Sequence, residues 1–154
     1  MKNKIIKGLM TAVKIALGAL FIYAGIQKFN PTPRPQPVSN ETNLPEHVVK
    51  MKELIGGMKQ SGYFWEMVSI AEIVCGILLV SQLLAVLGAV MLVPITLNIF
   101  LFHAVLEPHD IAEFLMTGMY LMANLGILVY HYPQLKRAFI SYNETQTYKV
   151  LKTL

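Results

Sequence analysis

Apolar positions along the chain gather into four runs, Gly8 to Phe29, Gly62 to Val80, Leu84 to Leu106 and Ile111 to Tyr132. Each approaches or exceeds the length needed to cross a hydrocarbon core, which takes about 20 helical residues. Polar residues inside these runs recur at helical spacing. On the roughly 3.6-residue period, Lys14, Gly18, Phe21, Gly25 and Lys28 share one face of the first run, and Trp65, Ser69, Glu72 and Gly76 share one face of the second. Glu113, Thr117, Tyr120, Asn124 and His131 occupy a narrow sector of the fourth. Polar stripes turned to lipid are costly, so the pattern predicts an all-α membrane protein, a four-transmembrane-helix bundle with the stripes on its axis. Residues 1–154 read as a single domain without internal repeats or a Gly-rich nucleotide motif.

The long connection between the first two runs has its own pattern. PTPRPQP (Pro31 to Pro37) cannot propagate a helix and reads as extended, polyproline-like chain. After Pro45, Val48, Met51, Ile55 and Met58 fall on one face, with Glu46, Lys50, Glu53 and Gln60 on the other. That predicts a short amphipathic interfacial helix over 46–60, either a lid over the bundle mouth or an ordinary surface helix. Lys2, Lys4 and Lys7 ahead of the first run imitate a signal peptide. The run is too long for one, contains Lys14 and lacks a small-x-small cleavage site, so it is expected to be retained.

Composition narrows the class. With 55% hydrophobic and 14% charged residues, the chain is too apolar for an ordinary soluble domain. Its net charge of +4 fits attraction to anionic membrane lipids and does not argue for nucleic acid. Lysines near the N-terminus, with Lys136, Arg137, Lys149 and Lys152 in the tail, place both termini in the cytoplasm by the positive-inside rule. A multi-pass protein of a bacterial cytoplasmic (inner) membrane is expected. Cys75 is the only cysteine, which excludes an intramolecular disulfide or a CxxC relay.

Candidate chemistry centres on Glu72, an intramembrane carboxylate of the kind that faces a bundle interior and marks a ligand, ion or proton site. The plainer reading is a protonated carboxyl that joins helices through Asn98 or Tyr120. At about 1.5 Å rise per residue, Phe21, Glu72, Asn98 and Tyr120 lie about 12 to 14 Å below the outer helix ends and form an expected shared layer. Above it, Lys28, Gln27, Glu66, His103, Glu107, His109, Asp110 and Glu113 make an ionisable ring at the bundle mouth. Together these predict a polar cavity open to the outer side, with Glu72 as its floor and Lys28 as countercharge. The i,i+4 pairs His103/Glu107 and His109/Glu113 have metal-ligand spacing, but Pro108 interrupts them and no HExxH signature is present. They read as a polar rim, and no metal site is assigned.

GALFIYAGIQKF (Gly18 to Phe29), GYFWEMVSIAEIVCGILLV (Gly62 to Val80) and VPITLNIFLFHAVLEP (Val93 to Pro108) together resemble the DoxX family of small four-helix bacterial membrane proteins. The resemblance implies a four-helix fold. For some members it also implies association with membrane-linked redox systems, including a quinone-reducing thiosulfate oxidoreductase and complexes connected with oxidative stress. By position it implicates Lys28, Glu72, Asn98 and His103. Glu72 and His103 are thus the candidate catalytic residues, and Lys28, Asn98 and Tyr120 the candidate ligand-binding ones.

Two function classes follow. In one, the chain is a subunit or accessory factor of a quinone-linked redox or oxidative-stress system. No cofactor motif is evident, a quinone is the candidate cofactor, and electrons come from a redox partner protein or a bound substrate. In the other, the chain is a non-catalytic bundle that binds lipid or a small molecule, or assembles with membrane proteins, including a second copy of itself. Enzymatic activity is left open between them.

Overall fold

The computed structural model describes residues 2–30 and 45–140. The element order is α1 (Lys2–Lys28), α2 (Glu46–Gln60), α3 (Phe64–Ser81), α4 (Ala85–Leu106), α5 (Ile111–Tyr130) and α6 (Tyr132–Ile140). Among the described residues four helices, α1, α3, α4 and α5, are long and apolar enough to span a membrane. The expected interfacial helix appears as α2 over the expected residues. Two differences stand out. The first helix begins earlier than the apolar run, because Lys2 to Lys7 are helix-compatible and continue it beyond the bundle. Beyond the fourth run, where no further helix is expected, Tyr132–Ile140 forms α6; proline is tolerated in a helix's first turn. The Pro31 to Pro37 segment lies outside the described residues.

Local chemistry sets the helix ends. Asp110 caps α5 by accepting from the Glu113 amide at 3.1 Å, which satisfies one of the free donors of the first turn. Ser61 joins α2 to α3, donating to the Met58 carbonyl at 2.7 Å and accepting from the Phe64 amide at 3.0 Å. Gly62 follows with φ of 77°, a left-handed conformation that glycine adopts without steric cost. Gln82 stops α3 at φ of 60°, its side-chain amide donating to the Leu79 carbonyl at 2.7 Å.

α1 and α3 run antiparallel in intimate contact, because glycines remove the side chains between them. A Cβ on Gly76 would lie 2.5 Å from the Gly18 carbonyl oxygen, and one on Gly25 would lie 2.7 Å from that of Ser69. Such small-residue faces let backbones approach and gain dispersion contact where lipid supplies no hydrophobic drive. Leu17, Phe21, Cys75, Leu79, Ala85, Ala89, Leu92 and Ile127 form the buried core. Large apolar side chains such as Leu101, Leu115, Met119 and Met122 remain on the outside, where a lipid solvent accommodates them. The polar stripes do turn inward: Lys14, Ser69, Glu72, Thr117 and Asn124 are all buried.

The glycine contact predicts a graded response. Gly76→Ala should lower unfolding stability in detergent micelles by about 1 to 3 kcal/mol, the cost of overpacking. Gly126→Ala, where an added Cβ meets nothing within 4 Å, should leave it nearly unchanged. Equal responses from the two variants would refute close packing at Gly76.

Candidate functional site

The strongest polar feature is an ion pair between α1 and α3. Lys28 Nζ lies 2.5 Å from Glu72 Oε1, with the lysine side chain 22% exposed and the carboxylate 1% exposed. Antiparallel pairing accounts for the meeting. Gly25 sits against Ser69, so Lys28 near the end of α1 turns down towards a residue one turn further into α3. The second carboxylate oxygen, Glu72 Oε2, is buried without a hydrogen-bond partner among the described residues.

Trp65 covers the pair. Its indole Nε1 donates to the Lys28 carbonyl at 3.2 Å, and its ring centroid lies 5.4 Å from Lys28 Nζ and 4.8 Å from Lys59 Nζ on α2. The two cations thus approach one ring, a favourable cation–π arrangement near the bundle end. Neither Trp65 nor Lys59 is among the sequence candidates for the site. Trp65 was nevertheless visible in the stripe it shares with Ser69 and Glu72. Lys59 carried no signal, since its approach depends on how α2 folds back against the bundle.

The remaining candidates separate. Tyr120 is partly buried and packs edge-on against Phe21, with ring centroids 6.5 Å apart. His103 Nδ1 lies 2.6 Å from Glu107 Oε2, a close contact whose geometry does not make a hydrogen bond. Glu72 and His103 therefore belong to different pairs. Asn98 is exposed on α4 and does not join the expected layer. Helical phase explains the correction. The buried face of α4 runs through Ala85, Ala89, Leu92 and Thr96, and a residue two positions past Thr96 is rotated by about 200° to the opposite side. The interior polar contact of α4 is instead Thr96, whose Oγ1 lies a long 3.5 Å from the Asn124 amide nitrogen.

The expected polar cavity also differs. A cavity of about 470 Å³ does open at the α2 end, but His47, Val48, Met51, Glu107, His109 and Asp110 line it rather than Glu72. The His47 and His109 rings meet there with centroids 5.6 Å apart. Lys28 and the packed helix faces cover Glu72 instead. Among the described residues no group of three or more His, Cys, Asp or Glu side chains is placed to hold a metal ion.

Exposure makes the ion pair asymmetric, which can be measured. Lys28→Met strands a buried carboxyl and should cost about 3 kcal/mol of folding stability. Glu72→Gln should cost only about 1 kcal/mol, because the partly exposed lysine can turn its ammonium to the headgroups. Denaturation of both single variants and the double variant would test this. Additive losses without coupling would show that the pair does not bind α1 to α3.

Against known proteins, the DoxX family model matches residues 9–104, well over half of the chain, spanning most of α1 through nearly all of α4. No curated protein and no solved structure matches. The matched span contains Lys28, Glu72, Asn98 and His103. With four apolar helices in place and the family model covering well over half of its length, the chain is a multi-pass membrane protein of the DoxX family.

Proposed function

We propose that this DoxX protein serves a quinone-linked membrane redox or oxidative-stress system as a subunit or accessory factor, and that its Lys28–Glu72 pair meets the quinone head. The observation that carries the reading is a desolvated carboxylate bound to a partly exposed ammonium, with one carboxylate oxygen left unpartnered. Those groups fit the ligand chemically. A quinone carbonyl accepts a hydrogen bond, which Lys28 can donate; a quinol hydroxyl donates one, which Glu72 Oε2 can accept once Lys28 swings aside and uncovers it. When bound, the quinone supplies two-electron, two-proton redox chemistry, with electrons arriving from a partner or a substrate.

The chain's own contribution is orientation and proton handling. Lys28 positions the head under Trp65, Glu72 holds or passes a proton, and His103 with Glu107 offers a proton acceptor towards the α2 end. Tyr120, with Phe21, borders the interior beneath them. Cytoplasmic termini in a bacterial inner membrane would put the α2 end on the outer side.

One observation favours a second reading, in which the chain assembles with another membrane protein or with itself. Asn98 presents an amide to the bundle's outer surface beside Leu97 and Leu101. An amide exposed among lipid-facing side chains gains by finding a partner across a helix interface. The glycine faces do not serve this reading, since Gly18, Gly25 and Gly76 are consumed between α1 and α3.

Mass spectrometry of small molecules retained in native lipid nanodiscs separates the two. A quinone should be enriched with the wild type and fall at least about tenfold in Glu72→Gln, as expected from losing a charge-assisted contact. An ordinary-lipid profile shared by both proteins would reject the quinone role. In that case a smaller complex mass for Asn98→Leu would support assembly.

A further inference from the structure

The opposite end of the bundle holds a second polar site, remote from Lys28 and Glu72. A cavity of about 420 Å³ opens between α1 and the junction of α5 with α6, lined by Lys7, Thr11, Lys14, Tyr130, His131 and Gln134 together with two apolar residues. Lys14 is the informative member. It is a lysine only 8% exposed that lines the cavity and has no carboxylate partner among the described residues. A lysine packed among helices with no countercharge beside it gains by meeting an anion, and the cavity it lines gives one room.

Its neighbours point the same way. His131 Nε2 is buried without a hydrogen-bond partner among the described residues, while Nδ1 lies 3.1 Å from Gln134 Oε1. Burial, and then the positive charge of Lys14, hold the His131 imidazole below its ordinary pKa. Lys14 thus adds a positive contribution to the potential at His131. Thr11 and Tyr130 add hydroxyl donors, Lys7 adds a second cation, and none of the described lining residues is acidic.

Depth identifies the kind of anion. Gly18 packs against Gly76, Leu79 and Val80, and α3 ends at Ser81. Lys14, one turn beyond Gly18, is level with that end, and Tyr130 closes the spanning part of α5. The cavity thus sits where hydrocarbon gives way to headgroups. Basic pockets between helices at this depth suit phosphate groups, which accept several charge-assisted hydrogen bonds at once.

We propose that the Lys14 cavity is a phosphate-binding site, filled by the phosphodiester headgroup of an anionic phospholipid or by a free phosphate. The test is native mass spectrometry of the full-length protein in neutral detergent, titrated separately with phosphatidylglycerol and with inorganic phosphate. Binding of at least one should weaken about tenfold in Lys14→Met. Lys7→Gln, a change at an exposed residue that leaves packing intact, should weaken it several-fold. Lys136→Gln, an exposed cation that does not line the cavity, should leave it unchanged.

Dependence seen with phosphatidylglycerol alone makes the headgroup the ligand; dependence seen with inorganic phosphate makes it a free anion. The proposal is overturned if folded Lys14→Met binds both as the wild type does. It is equally overturned if Lys136→Gln weakens binding as much as Lys7→Gln, the result of general surface attraction. Should Lys14→Met fail to fold, the contrast between Lys7→Gln and Lys136→Gln decides alone.

Discussion

The close approach of α1 and α3 is the constraint on which the rest of the structure depends. In lipid, two apolar helices gain little by hiding apolar surface from one another, so association depends on packing and on polar groups that need partners. This pair uses both. Gly18, Gly25 and Gly76 bring the backbones together, and that proximity lets a lysine at the end of one helix reach a carboxylate inside the other. A side chain at any of these glycines would push the helices apart and pull the charges with them. Packing and charge pairing are thus one arrangement, not two independent contributions.

Its consequences reach both ends of the molecule. At the α2 end, the pairing holds Trp65 over Lys28, and Lys59 of the interfacial helix approaches the same ring. The α2 helix is therefore tied to the ion pair rather than only resting on a surface. On its exposed face the Lys50 ammonium lies 2.7 Å from Glu46 and holds that carboxyl below the usual carboxylate range. At the α6 end, the register set by Gly18 against Gly76 brings Lys14 to the last turn of α3. Two lysines on one stripe thus have opposite circumstances. Lys28 meets a carboxylate of its own chain, whereas Lys14 shares a cavity with hydroxyls, an imidazole and another cation.

The lipid-facing surface adds a different lesson about polar residues in membranes. Asn98 and Asn124 have the same side chain in neighbouring helices, yet one is exposed and the other fully buried. Composition and depth treat them alike; only helical phase separates them. The interior amide meets Thr96 from α4, and the outward one lies among the leucines of the lipid face. An intramembrane polar residue is therefore informative about a bundle interior only after its face is known.

By itself the sequence determined the four spanning helices and the direction of their polar stripes, because hydrocarbon thickness sets segment length and lipid penalises misplaced polarity over every turn. The amphipathic α2 was legible for the same reason, and so were Lys28 and Glu72 as members of inward stripes. What the sequence left undecided were relations between helices. Depth arithmetic aligned Asn98 and Tyr120 with Glu72, but height along an axis does not specify rotation around it, and α4 turns Asn98 away. Nor does height say which side chains meet, so the approach of Lys59 to Trp65 and the basic cavity at Lys14 emerged only when the glycine contacts set the register of α1 against α3. Periodicity along one helix is a local property written in that segment alone; register and rotation depend on side chains from distant segments fitting together at once.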